Sequence, residues 1–364
     1  MVFPKKWLSI LSVNSLMLFN VSFPVLMLPN IVNGGEVIAQ TDPNAEAEKL
    51  LRQGYELLKQ GTAESKKQAI EISEKALQLY REAGNKTWEA LTLLGIGRVY
   101  SDLGEKQKAL DYFNQSLTLW REVRDKTGEA RTLTDIGRVY NDLGEKQTAL
   151  NYYNQSLPLL QQVRDKTREA ATLHNIGRVY HDLGEKQKAL NYYNQSLPLW
   201  RQVGNKTREA ATLYNIGAVY NDLGEKQKAL DYYNQSLPLW QEVRYQTGEA
   251  RTLTDIGRVY NDLGEKQKAL DYYNQSLPLW RQVGNKSREA ATLHNIGRVY
   301  NDLGEKQKAL DYYNQSLPLS RQVGNKFGVA TTLYNIGAVY NDLGEKQKAL
   351  DYYNQSLPLS RQVG

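Results

Sequence analysis

Residues 167–206 read TREAATLHNIGRVYHDLGEKQKALNYYNQSLPLWRQVGNK, and the pattern returns every 40 residues, with units starting at Thr87, Thr127, Thr167, Thr207, Thr247, Ser287 and Phe327. A fixed period of this size marks a supersecondary unit that cannot bury its apolar face alone and must stack on its neighbours. Within the quoted unit Leu173, Ile176, Gly177 and Tyr180 recur at steps of three and four, one apolar face of a first helix. Thr167 reads as its N-cap and Glu169 as an acid in the first turn. Asp182-Leu183-Gly184 stops it. Glu185 opens a second helix expected to bury Ala189, Leu190, Tyr193, Leu197 and Val203. Gly204-Asn205 ends that helix, although Arg164 and Arg244 replace this glycine in two units, so the turn does not demand it. Pro198 and its counterparts Pro158, Pro238, Pro278, Pro318 and Pro358 fall inside second helices, where a lost donor and a clash with the carbonyl four residues back predict a kink. Thr118 replaces proline in the first full unit.

The organisation follows: residues 1–39 are a segment of different composition, 40–86 hold a diverged first unit, and 87–364 hold seven 40-residue units. Residues 127–244 match 247–364 at all but 18 of 118 positions, which a duplication of a three-unit block explains. Identity between units therefore does not by itself mark a functional residue.

Composition narrows the function. Lys plus Arg number 46 and Asp plus Glu 40, a net charge of +6 spread along the chain, which argues against a nucleic-acid-binding protein. The absence of cysteine rules out disulfides, thiolate metal sites and a cysteine nucleophile. There are three histidines; His174 and His181 lie seven apart on one helix, with no further ligands offered, so no metal is expected. No phosphate loop, triad or carboxylate pair is found, so no enzyme, cofactor or small-molecule substrate is expected. Trp120, Trp200, Trp240 and Trp280 share one position late in the second helix and read as packing residues.

Lys5 and Lys6 precede the uncharged run from Trp7 to Val32, and Val37-Ile38-Ala39 offers a cleavage site before Gln40. This is the pattern of a secretory signal, with an uncleaved anchor through residues 7–32 as the alternative. Both place the rest of the chain outside the inner membrane, periplasmic, extracellular or membrane-anchored; a cytoplasmic chain with a misassigned start is the third reading.

Leu173, Gly177, Tyr180, Ala189 and Tyr193, with Ser196 as the later small residue, match the tetratricopeptide-repeat pattern. The chain resembles that family over residues 45–364, in the long-helix variety seen in kinesin light chains and in the repeat arms of bacterial proteins that carry a CHAT-type peptidase. It departs from the pattern in its period and in having Arg201 near the place of the usual terminal proline. The resemblance implies an all-α, right-handed superhelical solenoid of about eight antiparallel helix pairs. Its first helices would line a concave surface that holds an extended peptide or a partner's segment.

On those first helices one position is mostly arginine: Arg98, Arg138, Arg178, Arg258 and Arg298, interrupted by Ala218 and Ala338. Another carries Asn175, Asn215, Asn295 and Asn335, or Asp135 and Asp255, and the position before it Thr134, His174, Tyr214, Thr254, His294 and Tyr334. In the long-repeat relatives an asparagine ladder bonds the peptide backbone and basic residues pair with its acids. An amide offers donor and acceptor together, and guanidinium pairs bidentately with carboxylate. By that resemblance the groove prefers an acidic segment or a free C-terminal carboxylate. The bland alternative is a solvated surface in which Arg138–Asp142, Arg178–Asp182, Arg258–Asp262 and Arg298–Asp302 pair along each helix. The expected function is a non-enzymatic binding scaffold. Its alternatives are the sensing or substrate-holding arm of a CHAT-type peptidase system and a solenoid that self-associates through an uncapped last unit.

Overall fold

The computed structural model describes residues 42–363. The segment read as a signal or anchor lies outside the described residues. Among the described residues there is no strand, and no helix is long and apolar enough to cross a membrane. Sixteen helices follow one another: α1 (Pro43–Lys59), α2 (Ala63–Glu82), α3 (Lys86–Asp102), α4 (Lys106–Glu122), α5 (Lys126–Asp142), α6 (Lys146–Gln162), α7 (Lys166–Asp182), α8 (Lys186–Gln202), α9 (Lys206–Asp222), α10 (Lys226–Glu242), α11 (Gln246–Asp262), α12 (Lys266–Gln282), α13 (Lys286–Asp302), α14 (Lys306–Gln322), α15 (Lys326–Asp342) and α16 (Lys346–Val363). They form two compact units, divided within α7 after Val179.

In the first unit α1·α2, α3·α4 and α5·α6 pack as pairs, and α2·α3 and α4·α5 join them. The pairs are antiparallel. Tyr100 stacks on Tyr112, Gly97 faces Phe113, and Ser116 Oγ donates to Ala90 O at 2.8 Å, contacts that advance in opposite directions along α3 and α4. The closest approach is at the glycine. A Cβ on Gly137 would lie 2.8 Å from the ring of Tyr153, which is fully buried, so the first helix can meet the second only without a side chain there. Leu94, Phe113, Leu117, Leu133, Ile136 and Val139 make one continuous core across two pairs, which is why no pair is a domain of its own.

The second unit repeats this plan in α9·α10, α11·α12, α13·α14 and α15·α16, with first helices also touching as α9·α11, α11·α13 and α13·α15. Tyrosine is in excess, 25 residues against 5 phenylalanines, and has two uses. Tyr233, Tyr273 and Tyr313 are buried in the core, while Tyr220–Tyr232, Tyr260–Tyr272 and Tyr300–Tyr312 stack at 5.4 Å nearer the surface. Lys228, Lys268 and Lys308 place their ammonium groups about 5.1–5.2 Å from the centroids of Tyr220, Tyr260 and Tyr300. Trp120, Trp200, Trp240 and Trp280 are all buried.

Two local expectations are corrected. The cap of α7 is Asp165, two residues before Thr167: its Oδ1 accepts from Arg168 N at 3.0 Å, and Asn205 caps α9 the same way at 3.1 Å. Aspartate and asparagine satisfy an orphan N–H at the helix start better than threonine does. Val203 is only half-buried, because it is the C-cap of α8 and not part of its buried face. The glycine-free turns number three, one more than read: Arg124 joins Arg164 and Arg244, all with φ of 55–59°, where Gly204 has 67°. The prolines sit on the exposed side of helices that continue past them, where water can reach the carbonyl that each leaves without a donor.

Candidate functional site

On each first helix three positions fall at i, i+4 and i+7 and share one face. In the first unit they are Leu91, Gly95 and Arg98 on α3, Arg131, Asp135 and Arg138 on α5, and Ala171, Asn175 and Arg178 on α7. Asp135 is the buried hub of this surface. Its Oδ2 accepts from Arg98 Nε at 2.6 Å across α3 and α5, and its Oδ1 lies 3.2 Å from Arg138 Nη2. Burial works against its charge, but the Arg98 and Arg138 guanidiniums overcome that and hold the carboxyl below the usual carboxylate range. Asp135 in turn raises the pKa of Arg138. These two arginines are therefore already engaged.

Arg131 and Arg178 are not satisfied in the same way. Both are half-buried, and the Nε of each is buried without a hydrogen-bond partner. Burial, then the neighbouring Arg168 charge, pulls the Arg131 pKa below its ordinary value. Arg168 itself pairs with Asp165 at 2.5 Å. The hydroxyl of Tyr153 is likewise buried and unpartnered, its pKa pushed up by burial against the opposing charges of Arg178 and Arg138.

In the second unit Asp255 is the corresponding buried acid. It accepts from the Tyr214 hydroxyl and meets Arg258 Nη2 at 2.9 Å, while Arg251 lies 5.3 Å from the Tyr214 ring centroid. Asn335 donates from Nδ2 to His294 Nε2 at 3.2 Å, which leaves His294 Nδ1–H to donate to Thr332 Oγ1 at 3.0 Å. Burial, then the Arg298 charge, lowers the His294 pKa to about 4. Arg298 is exposed, and Asn175, Asn215 and Asn295 are half-buried.

The structure thus puts Arg98, Arg138 and Arg258 on carboxylates of the first helices and Asn335 on a histidine. The position of Thr134, His294 and Tyr214 joins neighbouring helices: Thr134 Oγ1 lies 2.7 Å from Ser156 Oγ and 3.2 Å from Thr172 Oγ1. The helix-internal pairing of the bland reading is replaced at three of its four pairs. Asp142, Asp262 and Asp302 bond Lys106, Lys226 and Lys266 at 2.6–2.9 Å, because the end of each first helix meets the start of the second helix before it. Arg131 was missed by the sequence reading. Its signal was a place seven residues before Arg138, one face and two turns away, but arginine recurs there only as Arg251. Among the described residues no group of three His, Cys, Asp or Glu side chains could hold a metal ion.

The tetratricopeptide repeat profile matches residues 66–122, 107–162, 128–202, 168–242, 208–282, 248–322 and 288–362. The chain belongs to the tetratricopeptide repeat family. Its helix-pair stacks are the tetratricopeptide-repeat solenoid fold, and solved structures share it. One is a signal-transduction ATPase with numerous domains and a tetratricopeptide repeat sensor from Pyrococcus horikoshii (TM-score 0.69, 15% identity, 90% of this chain and 55% of that chain). Another is the apo quorum sensor NprR from B. thuringiensis (TM-score 0.63, 18% identity, 88% of this chain and 89% of that chain). A third is a Rap protein complexed with competence and sporulation factor (TM-score 0.53, 16% identity, 88% of this chain and 99% of that chain). At these identities the likeness shows the fold alone. No curated protein sequence matches the chain.

Proposed function

We propose that this tetratricopeptide repeat protein is a non-enzymatic scaffold whose first-helix surface binds an extended, acidic protein segment. One observation carries the reading: Arg131 and Arg178, half-buried on the stripe whose Asp135 Arg98 and Arg138 already occupy, make no ion pair among the described residues. The nine stripe positions of the first unit hold four arginines and one acid, with Asp165 and Asp125 off the stripe also acting on Arg131. A half-buried cation without a paired acid is costly, and an incoming carboxylate would supply the opposite charge. The Rap protein solved with competence and sporulation factor, on a similar fold, supports a peptide or protein partner. The proposed location outside the inner membrane rests on residues 1–39 alone.

The test is fluorescence anisotropy with a labelled, extended glutamate-rich peptide and its glutamine counterpart. The full chain is expected to prefer the glutamate peptide, more strongly at low salt. Arg131→Ala with Arg178→Ala should weaken that binding about tenfold or more, the loss of one to two charge-assisted hydrogen bonds. Equal binding of both peptides, or an unchanged affinity in the double variant, overturns the assignment.

A further inference from the structure

We propose that the exposed face of α16 is a second docking surface, independent of the arginine stripe, and that it takes an amphipathic, acid-bearing α-helix of a partner protein.

α14 and α16 are identical in sequence over residues 306–322 and 346–362. Only α14 is covered. Val329, Leu333, Ile336 and Val339 of α15 pack on its Ala309, Leu310, Tyr313 and Leu317, and Leu310 and Leu317 are 3% and 8% exposed. Their counterparts on α16, Leu350 and Leu357, are 54% and 50% exposed. The same face therefore occurs once with its occupant and once without it, and the occupant is a helix. An open apolar face is not shared by α1, where no large apolar residue is exposed and Lys49, Arg52, Gln53 and Glu56 meet the solvent.

Two polar groups beside the leucines say what the occupant carries. Tyr214 donates to Asp255, and Lys226 donates to Asp262 at 2.8 Å; both acids lie on α11, whose Ile256 and Val259 cover Leu230 and Tyr233 of α10. Tyr334 stands in the place of Tyr214. Its ring is 5.3 Å from Tyr353, as the Tyr214 ring is 5.4 Å from Tyr233, but Tyr334 is exposed. Lys346 stands in the place of Lys226. Lys266 and Lys306 likewise meet Asp302 and Asp342, at 2.6 and 2.5 Å, whereas among the described residues no first helix follows α16 to supply Lys346 with an aspartate. A helix with the α11 arrangement answers all of these. Residues in the places of Leu253, Ile256 and Val259 would cover Leu350 and Leu357. An acid one residue before that isoleucine would accept from Tyr334, and one three residues after that valine would meet Lys346. Apolar burial drives such docking, and the acids fix its register.

Charge argues against a second copy as the occupant. α16 carries Lys346, Lys348 and Arg361 against Asp351, so two such faces would bring like charges together. The acids that would fit, Asp135 and Asp255, are buried and bonded within their own units.

The test uses the full chain and a labelled peptide of residues 246–262, QTGEARTLTDIGRVYND, followed by fluorescence anisotropy and circular dichroism. A lone helix of this length is marginal in water, so helicity gained on mixing reports docking. Leu350→Asp puts a charge at an exposed place and is expected to weaken the peptide at least tenfold, while binding of the glutamate-rich peptide stays unchanged. Tyr334→Phe in the chain should weaken binding about fivefold, and Asp255→Asn in the peptide should add little to that loss, because both act on one bond. Lys346→Ala and Asp262→Asn in the peptide should be coupled in the same way. No binding of the peptide, or binding indifferent to Leu350→Asp, overturns the proposal and leaves the arginine-stripe reading standing. Additive losses in both pairs overturn the placement of the acids. Loss of the glutamate-rich peptide in the Leu350→Asp chain overturns the independence of the two surfaces. A chain that sediments as a dimer without peptide and as a monomer after Leu350→Asp has a second copy on this face, and the proposal fails.

Discussion

Replacing Gly128 by alanine is expected to destabilise the chain by about 3 kcal/mol, the upper part of the range for overpacking a filled core. Gly128 lies in the first turn of α5, its N–H capped by Asp125 at 2.9 Å. A Cβ there would sit 2.2 Å from Trp120 Cδ2 and 2.5 Å from Cε2, inside the indole ring. Trp120 is buried, so the ring has no solvent to swing into. Other units solve the same conflict differently. Arg288 replaces the glycine after Trp280, and that indole donates from Nε1 to Thr254 Oγ1 at 3.0 Å. The place of Thr254 is taken by Leu94 in the unit of Trp120, so the alternative orientation would gain no hydrogen bond. Urea unfolding should show the loss, and hydrogen exchange should place it first at α4 and α5, since solenoid units couple to nearest neighbours. Gly95→Ala is the control, expected to be neutral or stabilising by up to about 1 kcal/mol. A Gly128→Ala chain within about 0.5 kcal/mol of the parent would contradict the packing described.

Acid should cost about 3 kcal/mol through His294 alone. In the unfolded chain this imidazole titrates near its ordinary 6.5, and in the folded chain near about 4. The neutral form is the one built in: Asn335 donates to Nε2, Thr332 accepts from Nδ1, and Arg298 opposes a second positive charge. Between these two values the unfolded state holds a proton that the folded state lacks. Stability is therefore whole above pH 6.5 and falls as the pH drops from 6.5 to about 4, at up to 1.36 kcal/mol per unit. His294→Gln should remove this part of the acid sensitivity while leaving the part due to carboxylates. Parallel pH–stability curves for the two chains between pH 6.5 and 4 would refute the histidine's role.

The sequence shows some levels of this molecule well and others poorly, for physical reasons. Periodicity reports which residues share a helix face, so Leu173, Ile176, Ala189 and Leu190 were placed in the core by spacing alone, and all four are buried. Periodicity says nothing of which neighbouring helix a charged residue meets. Asp142 was read beside Arg138, four residues away, but its partner Lys106 is 36 residues back on another helix. Arg138 instead finds Asp135, because both point along the stripe toward α3 and its Arg98. The candidate site suffered in the same way. The arginine row was visible, but which of its members are spent on Asp135 and Asp255 depends on contacts between helices. Arg131 stood outside the row and carries the unmade bond. The difference between Gly95 and Gly97 was hidden because a glycine reads alike whether it is pressed against an aromatic ring, as at Gly97, or faces open space.

The central claim is that an acidic segment lies along the first-helix stripe of the first unit. The most direct measurement is photo-crosslinking of the glutamate-rich peptide, carrying a photoreactive group beside its acid, to the full chain, with the attachment sites mapped by mass spectrometry. The account predicts crosslinks concentrated at Leu91, Gly95, Arg131 and Asn175, lost in the Arg131→Ala, Arg178→Ala chain. Crosslinks spread over exposed second-helix residues such as Gln115 and Gln155, and insensitive to those two substitutions, would contradict it.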